Sequence, residues 1–490
     1  MELKYYFLII SAILLAGACM SKISTFLKVP VLLVFLAVGM LAGSDGPGGI
    51  SFDNGTLANI IGTIAMAYIL FSGGFDTKWK SVKSVLAYGS ILSSLGVFLT
   101  ALFVGLFVHF TMRVPLEWGL LLGAIVSSTD AAAVFAILRS RGVSLKGKLQ
   151  NMLEYESGSN DPMAAFLTIF MIGILKGGDA SYWMILPQFF IKMGIGVLFG
   201  YIIGRATVWL INRIDFEYDG LYYVIGIGMV ILVFGGGESL EGNGFMAVYV
   251  AGMVMGNHRY VYGKSLKRFH DGISWLMQVV LFTTLGLLVF PKEMLAISGY
   301  ALLVATFMMF VARPLVCYIC MVGSEFTFKE RTFISWVGLR GGAPIMLATF
   351  PMMAQVDDYH KMFNIVFFIV ITSVLLQGLT LMPFAKLLHL DRPLKSRPRI
   401  PLEFEYTGMS DDEMHEYVIS DSSDLVGKTV AQLGLPVGAL IVLMVRNNQI
   451  VVPQGSTKLH AFDALMVIGS PDVMVATGAK LADSILEEES

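Results

Sequence analysis

Residues 153–166 read LEYESGSNDPMAAF. Three acids, two serines, an asparagine and a proline sit in a run, about 152–176, that is otherwise apolar. The rest of the chain shows what solvent surrounds that run. Of 490 residues, 56% are hydrophobic and 14% charged, and mean hydropathy is +0.73. Soluble domains carry roughly 25% charged residues, so one aqueous core cannot hide this much apolar surface. The chain reads as an integral membrane protein. Its long apolar runs between short polar loops make it helical rather than an outer-membrane barrel. An ionisable residue at the bilayer centre costs at least ~2.5–3.5 kcal/mol, so each one there needs a reason. Asp161 lies about nine residues into its run, which at ~1.5 Å per residue is ~14 Å deep, near the midplane of a ~30 Å core.

Working outward, thirteen apolar segments are expected, at about 3–21, 29–43, 57–75, 85–110, 116–138, 152–176, 184–212, 219–236, 243–257, 273–290, 295–323, 332–353 and 362–388. Lys and Arg counts in the alternating sets of loops are twenty-one against five. The positive-inside rule then puts the N-terminus outside and the C-terminus in the cytoplasm of a cell inner membrane. LLAGAC, ending at Cys19, faintly resembles a lipoprotein cleavage site. Glu2 beside Lys4 leaves the region before it barely basic, so a retained first membrane helix is expected. The other cysteines, Cys317 and Cys320, lie one turn apart in an apolar run and read as packing residues. Seven scattered histidines show no metal-ligand spacing, and no cofactor is expected in the membrane part. The net charge of −2 gives no basic field for nucleic acid.

Two segments carry charge beside helix-breaking or polar residues near mid-span. The fifth contains SSTDAAA (127–133) and the twelfth WVGLRGGAP (336–344). They are seven segments apart, so they run in opposite directions. Segments 1–6 and 8–13 therefore read as inverted repeats, with segment 7 as linker and two broken helices. In the sixth segment, Ser157 and Asp161 share one helix face, and Glu156 and Asn160 the adjacent one. Pro162 frees a carbonyl one turn earlier. The chemistry offered is all oxygen, which suits hard cations. Asp130 could ligate through water, balance the half-helix ends or cap the break. Arg340 cannot shed its proton and needs a carboxylate, with Glu156 the first candidate and Glu154 the other. Arg313 also lies in an apolar run and is given no partner.

Composition changes near residue 391. DRPLKSRPRIP (391–401) is a basic, proline-rich linker, and 402–490 hold fourteen acids against four bases. HEYVI (415–419), GALIVLMV (438–445), IVVP (450–453) and ALMVIG (464–469) read as strands. Asn447-Asn448 reads as a hairpin turn and 472–486 as a closing helix, giving a small α/β domain.

SSTDAAAVFA (127–136), LEYESGSNDPMA (153–164) and FISWVGLRGGAPI (333–345) together resemble NhaP-type monovalent cation/proton antiporters, the electroneutral branch. FLAVGMLAGSDGPGGISFDN (35–54) and GNGFMAVYVAGMVMGN (242–257) resemble its potassium/proton members. LVGKTVAQLGLP (425–436) and VPQGSTKLHAFDALMVIG (452–469) make the tail resemble an RCK/TrkA C-terminal domain. The resemblance implies an all-α polytopic NhaA-like fold of thirteen helices over 1–390, a homodimer, and a cytosolic regulatory domain over 402–490. It implies cation binding by Asp161, with Asp130, Ser157 and the Thr129 carbonyl contributing, Asn160 as the neutral neighbour, and Glu156–Arg340 as a structural salt bridge. Where many sodium-type members carry an acid in the third segment, this chain reads FSGG with Ser72, which leans toward K⁺ over Na⁺. A nucleotide such as cyclic di-AMP is the ligand implied for the tail.

Two other classes share single features with this chain. A regulated K⁺ channel would share the tail, but no TVGYG-like filter is present. An intramembrane aspartyl protease would share two membrane aspartates, but the Asn160-Asp161-Pro162 context and Arg340 do not fit it. One-for-one exchange of K⁺ or Na⁺ against H⁺ across a lipid bilayer is the expected activity.

Overall fold

The computed structural model describes residues 3–27, 30–177, 182–393, 412–420, 423–446 and 449–481. The chain divides into two compact units. The first comprises Met1–Leu210, Phe216–His258 and Leu266–Leu394, and the second comprises Ile211–Asp215, Arg259–Ser265 and Lys395–Ser490.

The first unit is helical. Among the described residues, seven helices are long and apolar enough to cross a membrane: Gly55–Asp76, Leu86–Met112, Leu149–Leu175, Tyr182–Arg213, Gly220–Ser239, Ala296–Cys320 and Tyr359–Leu388. Shorter apolar helices accompany them: Val31–Ala42 before the first, and Leu116–Ile125, Ala131–Ser140, Gly244–Gly256 and Gly342–Met353 between later ones. Local chemistry sets several helix starts. Asn54 accepts from Leu57 N at 2.9 Å, and Asn243 accepts from Met246 N at 2.8 Å. Thr327 and Glu330 form a reciprocal capping box at Phe328–Trp336. Each satisfies backbone donors that a helix start leaves open.

Glycine sets the closest helix contact. Gly252 and Gly256, one turn apart on Gly244–Gly256, lie against the carbonyls of Phe71 and Phe75, and Gly74 lies against that of Tyr249. A Cβ at any of them would collide with backbone. This is the small-xxx-small packing that lets two membrane helices touch without a hydrophobic drive between them.

Residues 391–393, read from sequence as the start of a linker, belong to this unit. Asp391–Pro393 pairs antiparallel with Val143–Leu145, in the register Val143↔Pro393, Ser144↔Arg392 and Leu145↔Asp391. Lys146 extends the clip, its N–H donating to Leu390 O at 3.0 Å and its Nζ to His389 O at 2.7 Å. Residues 394–401 of the expected linker lie outside the described residues.

In the second unit, strands Glu413–Val418, Ala464–Gly469, Leu440–Arg446 and Gln449–Val451 form an antiparallel sheet in that spatial order. Helix Pro471–Leu481 follows, and Met474 and Leu481 join Tyr417, Ile441, Met444 and Val467 in the core. Asp463 is fully buried and takes both Nε and Nη2 of Arg446, at 2.9 and 2.8 Å. That bidentate pairing is what keeps a buried carboxylate satisfied. The expected turn at Asn447-Asn448 and the end of the expected helix, 482–486, lie outside the described residues.

Candidate functional site

Two helix breaks build the site. Helix Leu116–Ile125 ends, residues 127–130 leave helical geometry, and Ala131–Ser140 resumes. Helix Phe328–Trp336 ends, residues 337–341 run non-helical, and Gly342–Leu347 resumes. The breaks touch: Asp130 N–H donates to Leu339 O at 2.8 Å. Gly341 is required there, since a Cβ would run into the Asp130 carboxylate.

A break leaves carbonyls unpaired, and Arg340 takes two of them. Its Nη1 donates to Ser127 O at 2.7 Å and Ser128 O at 2.5 Å. Those carbonyls close the negative end of the half-helix, where a cation is favoured. Ser373 accepts from Arg340 N at 3.1 Å, and Gln377 ties Ser373 to Trp336 O.

The expected Glu156–Arg340 salt bridge is therefore not formed. Glu156 pairs instead with Arg313, Nη2 to Oε1 at 2.6 Å, with both side chains buried. The break carbonyls already occupy Arg340, and Arg313–Cys320 supplies the guanidinium that reaches Glu156. Arg313 was visible in the sequence as a cation in an apolar run. The signal that could have found its partner is simple: a membrane arginine needs a carboxylate, and Glu156 is one.

Helix Leu149–Leu175 supplies the opposite wall. Ser157 Oγ donates to Thr129 O and accepts from Ala131 N, both at 2.9 Å, so one hydroxyl braces both sides of the break. Asn160, fully buried, donates to Thr129 Oγ1 at 2.6 Å. Asp130 caps Ala131–Ser140 through Ala133 N at 3.1 Å. Asp161 differs from all of these, because its Oδ1 is buried with no hydrogen-bond partner.

Asp161, Asp130, Ser157, Thr129 and Ser128 line one cavity of about 1280 Å³. It extends to helix-end residues Asp76, Arg139, Arg141 and Glu154. Asn160 is absent from its lining and holds Thr129 in place. Ser72 does line it, and its hydroxyl donates to Asp271 Oδ1 at 3.0 Å. Asp271 was missed in the sequence because it lies two residues before the apolar run expected at 273–290 and reads as loop. An unpartnered carboxylate oxygen beside the hydroxyl and carboxylate oxygens of Ser128, Thr129, Asp130 and Ser157 can hold a proton or a hard cation, one at a time.

Over residues 10–387 the sequence matches the family described as sodium/hydrogen exchanger, transmembrane. Residues 414–481 match the TrkA-C domain. The chain is 37% identical over 462 residues to the K(+)/H(+) antiporter NhaP of Alkalimonas amylolytica, covering 94% of this chain and 80% of that protein. It is 38% identical over 471 residues to the K(+)/H(+) antiporter NhaP2 of Shewanella oneidensis, covering 96% and 82%. Among solved structures it is similar to the sodium proton antiporter MjNhaP1 of Methanocaldococcus jannaschii, with TM-score 0.67, 24% identity, and 77% of this chain and all of that one covered.

Proposed function

Because this chain belongs to the sodium/hydrogen exchanger family, we propose that it exchanges a monovalent cation, K⁺ in preference to Na⁺, for a proton across the cell inner membrane. The observation that carries the reading is the unpartnered Oδ1 of Asp161, placed beside two touching helix breaks. Asp161 is the carrier carboxylate, and Ser157, Thr129 and Asp130 shape the oxygens around the cation. The names of the K⁺/H⁺ relatives support K⁺, as does a hydroxyl rather than an acid at Ser72. The chemistry is transport: the carboxylate O–H bond is made and broken as the proton moves, and no substrate is converted.

The breaks at 127–130 and 337–341, seven apolar segments apart, support a thirteen-span NhaA-like arrangement with inverted repeats. We place the N-terminus outside and the tail in the cytoplasm, on the charge asymmetry of the loops, and take the working unit as a homodimer. One titrating carboxylate holds either a proton or a cation, so each cycle moves one charge each way. The test is pH-gradient dissipation in proteoliposomes with K⁺, Na⁺, Rb⁺ and Li⁺, followed by the reversal point at clamped potentials. Saturable exchange, largest with K⁺ and reversing at equal cation and proton ratios whatever the voltage, is expected. A voltage-dependent reversal point would mean a second proton, with Asp130 the first suspect.

The TrkA-C match supports a ligand-binding, regulatory tail, with a nucleotide such as cyclic di-AMP as candidate ligand. The strand pair 143–145 with 391–393 is its route into the site, because loop 141–148 joins the helix that begins at Asp130 to the helix carrying Asp161. Deleting 402–490 should keep exchange and shift its pH profile. Ser144→Pro, which a β-ladder tolerates poorly, should produce the same shift, and the two changes together no more than either. Additive shifts, or a shift from truncation alone, would show that the tail acts by another route.

A further inference from the structure

The cavity that reaches Asp161 is also walled by the carboxylates of Asp76, Asp130, Glu154 and Asp271. Asp271 lies on helix Gly263–Leu287 and lines the same cavity as Asp130, Ser157 and Asp161. Ser72 Oγ, from helix Gly55–Asp76, donates to its Oδ1 at 3.0 Å. A hydroxyl donor fixes one oxygen and leaves the carboxylate its full charge and its remaining lone pairs.

Among the described residues Asp271 forms no salt bridge, and the lysine that acts on its charge is shared with Asp76. Lys267, one turn earlier on the same helix, is engaged by Asp76, with Nζ to Oδ1 at 2.6 Å. Arg139, Arg141 and Glu154 line the cavity from other elements, and no salt bridge joins Asp271 to either arginine among the described residues. The adjacent residue fixes which way the helix faces. His270 is buried against Phe71 and Phe75, with ring centroids 4.7 and 6.5 Å away, and Gly226 leaves room for its ring. With His270 held inward, Asp271 is held on the cavity wall. Further in, the cavity holds two oxygens without a hydrogen-bond partner, Ser128 Oγ and Asp161 Oδ1, and Ser128 is fully buried.

We infer that the Ser72–Asp271 pair is a cation-capture element that concentrates the monovalent cation in the cavity before it reaches Asp161. This rests on the antiport reading above. A wall charge in a cavity with low-dielectric sides raises the local counter-ion concentration and falls off with salt. It acts on the approach of the cation, not on the exchange at Asp161, so it sets the apparent affinity and leaves the maximal rate.

The experiment is K⁺ titration of proton flux in proteoliposomes holding the full chain. Asp271→Asn should raise the KM for K⁺ about 5-fold, the scale of one partly screened charge, with the maximal rate within about 2-fold of wild type. Impermeant choline chloride raised from about 0.01 to 0.15 M, which shortens the screening length from ~30 to ~8 Å, should shrink the gap between variant and wild type. Asp271→Glu should keep the wild-type KM. A merely structural role would not move with salt. If Asp271→Asn does not fold, Asp271→Ser, which also removes the charge, should show the same rise in KM and the same loss of that rise with salt. An unchanged KM in the charge-removing variant, a loss of maximal rate at unchanged KM, or a raised KM that salt does not shrink overturns the inference. Absence of K⁺-driven flux in wild-type vesicles would instead overturn the antiport reading itself.

Discussion

Asp161→Asn should bring cation-dependent proton flux down to that of protein-free vesicles while the protein stays folded. The amide keeps the size and shape of the side chain and removes the only property the mechanism needs, a carboxylate that can carry a proton or a cation. Asp161 Oδ1 has no hydrogen-bond partner to lose, so the change costs the fold little. The neighbouring oxygens are already committed. Ser157 braces the break, Asn160 holds Thr129, and Asp130 caps a helix. Ser157 and Asn160 have no carboxylate with which to take over the exchange, and Asp130 has one oxygen committed to its cap. Flux is read as recovery of a pH-sensitive dye on addition of K⁺, and folding by size-exclusion profile and thermal unfolding. Wild-type-like exchange in the variant would remove Asp161 from the mechanism.

Glu156→Ala and Arg313→Ala should each destabilise the protein by about 3–5 kcal/mol, since either strands a buried charge. Their pairing at 2.6 Å is buried on both sides. The double variant should be no worse than either single one, because it leaves no uncompensated charge in place. Arg340→Ala tests the other half of the arrangement. It leaves the carbonyls of Ser127 and Ser128 without their donor, and its loss should add to that of Glu156→Ala, as for residues that do not meet. Thermal unfolding of the three single and two double variants in one detergent decides the matter. Coupling between Glu156 and Arg340, with none between Glu156 and Arg313, would reverse the pairing described here.

The two arginines together explain why Asp161 is left open. A buried guanidinium next to it would neutralise it permanently and end its use as an exchange group. Arg313 is taken by Glu156 and Arg340 by backbone carbonyls. Each guanidinium takes its hydrogen bonds from groups other than the carrier carboxylate.

Features that depend on the chain's own neighbours were legible before any coordinates. Hydropathy reports the solvent each stretch requires, so the membrane class and the sheet-forming tail were readable. Helix breaking is equally local. The non-helical residues fall in the SSTDAAA and WVGLRGGAP phrases because polar side chains and glycines there compete with or weaken the helix. The four-residue spacing of Ser157 and Asp161 turned them to one face, and both line the cavity. Pairing across elements was not readable. Glu156 had two arginines in apolar runs to choose between, and spacing along the chain is silent on which helix packs beside it. Ser72 looked like a lost charge, yet Asp271, 199 positions away, lies within a hydrogen bond of it. Periodicity sets which face a residue occupies, and only the packing of helices sets which faces meet. An ion pair or a cavity wall is a property of that meeting.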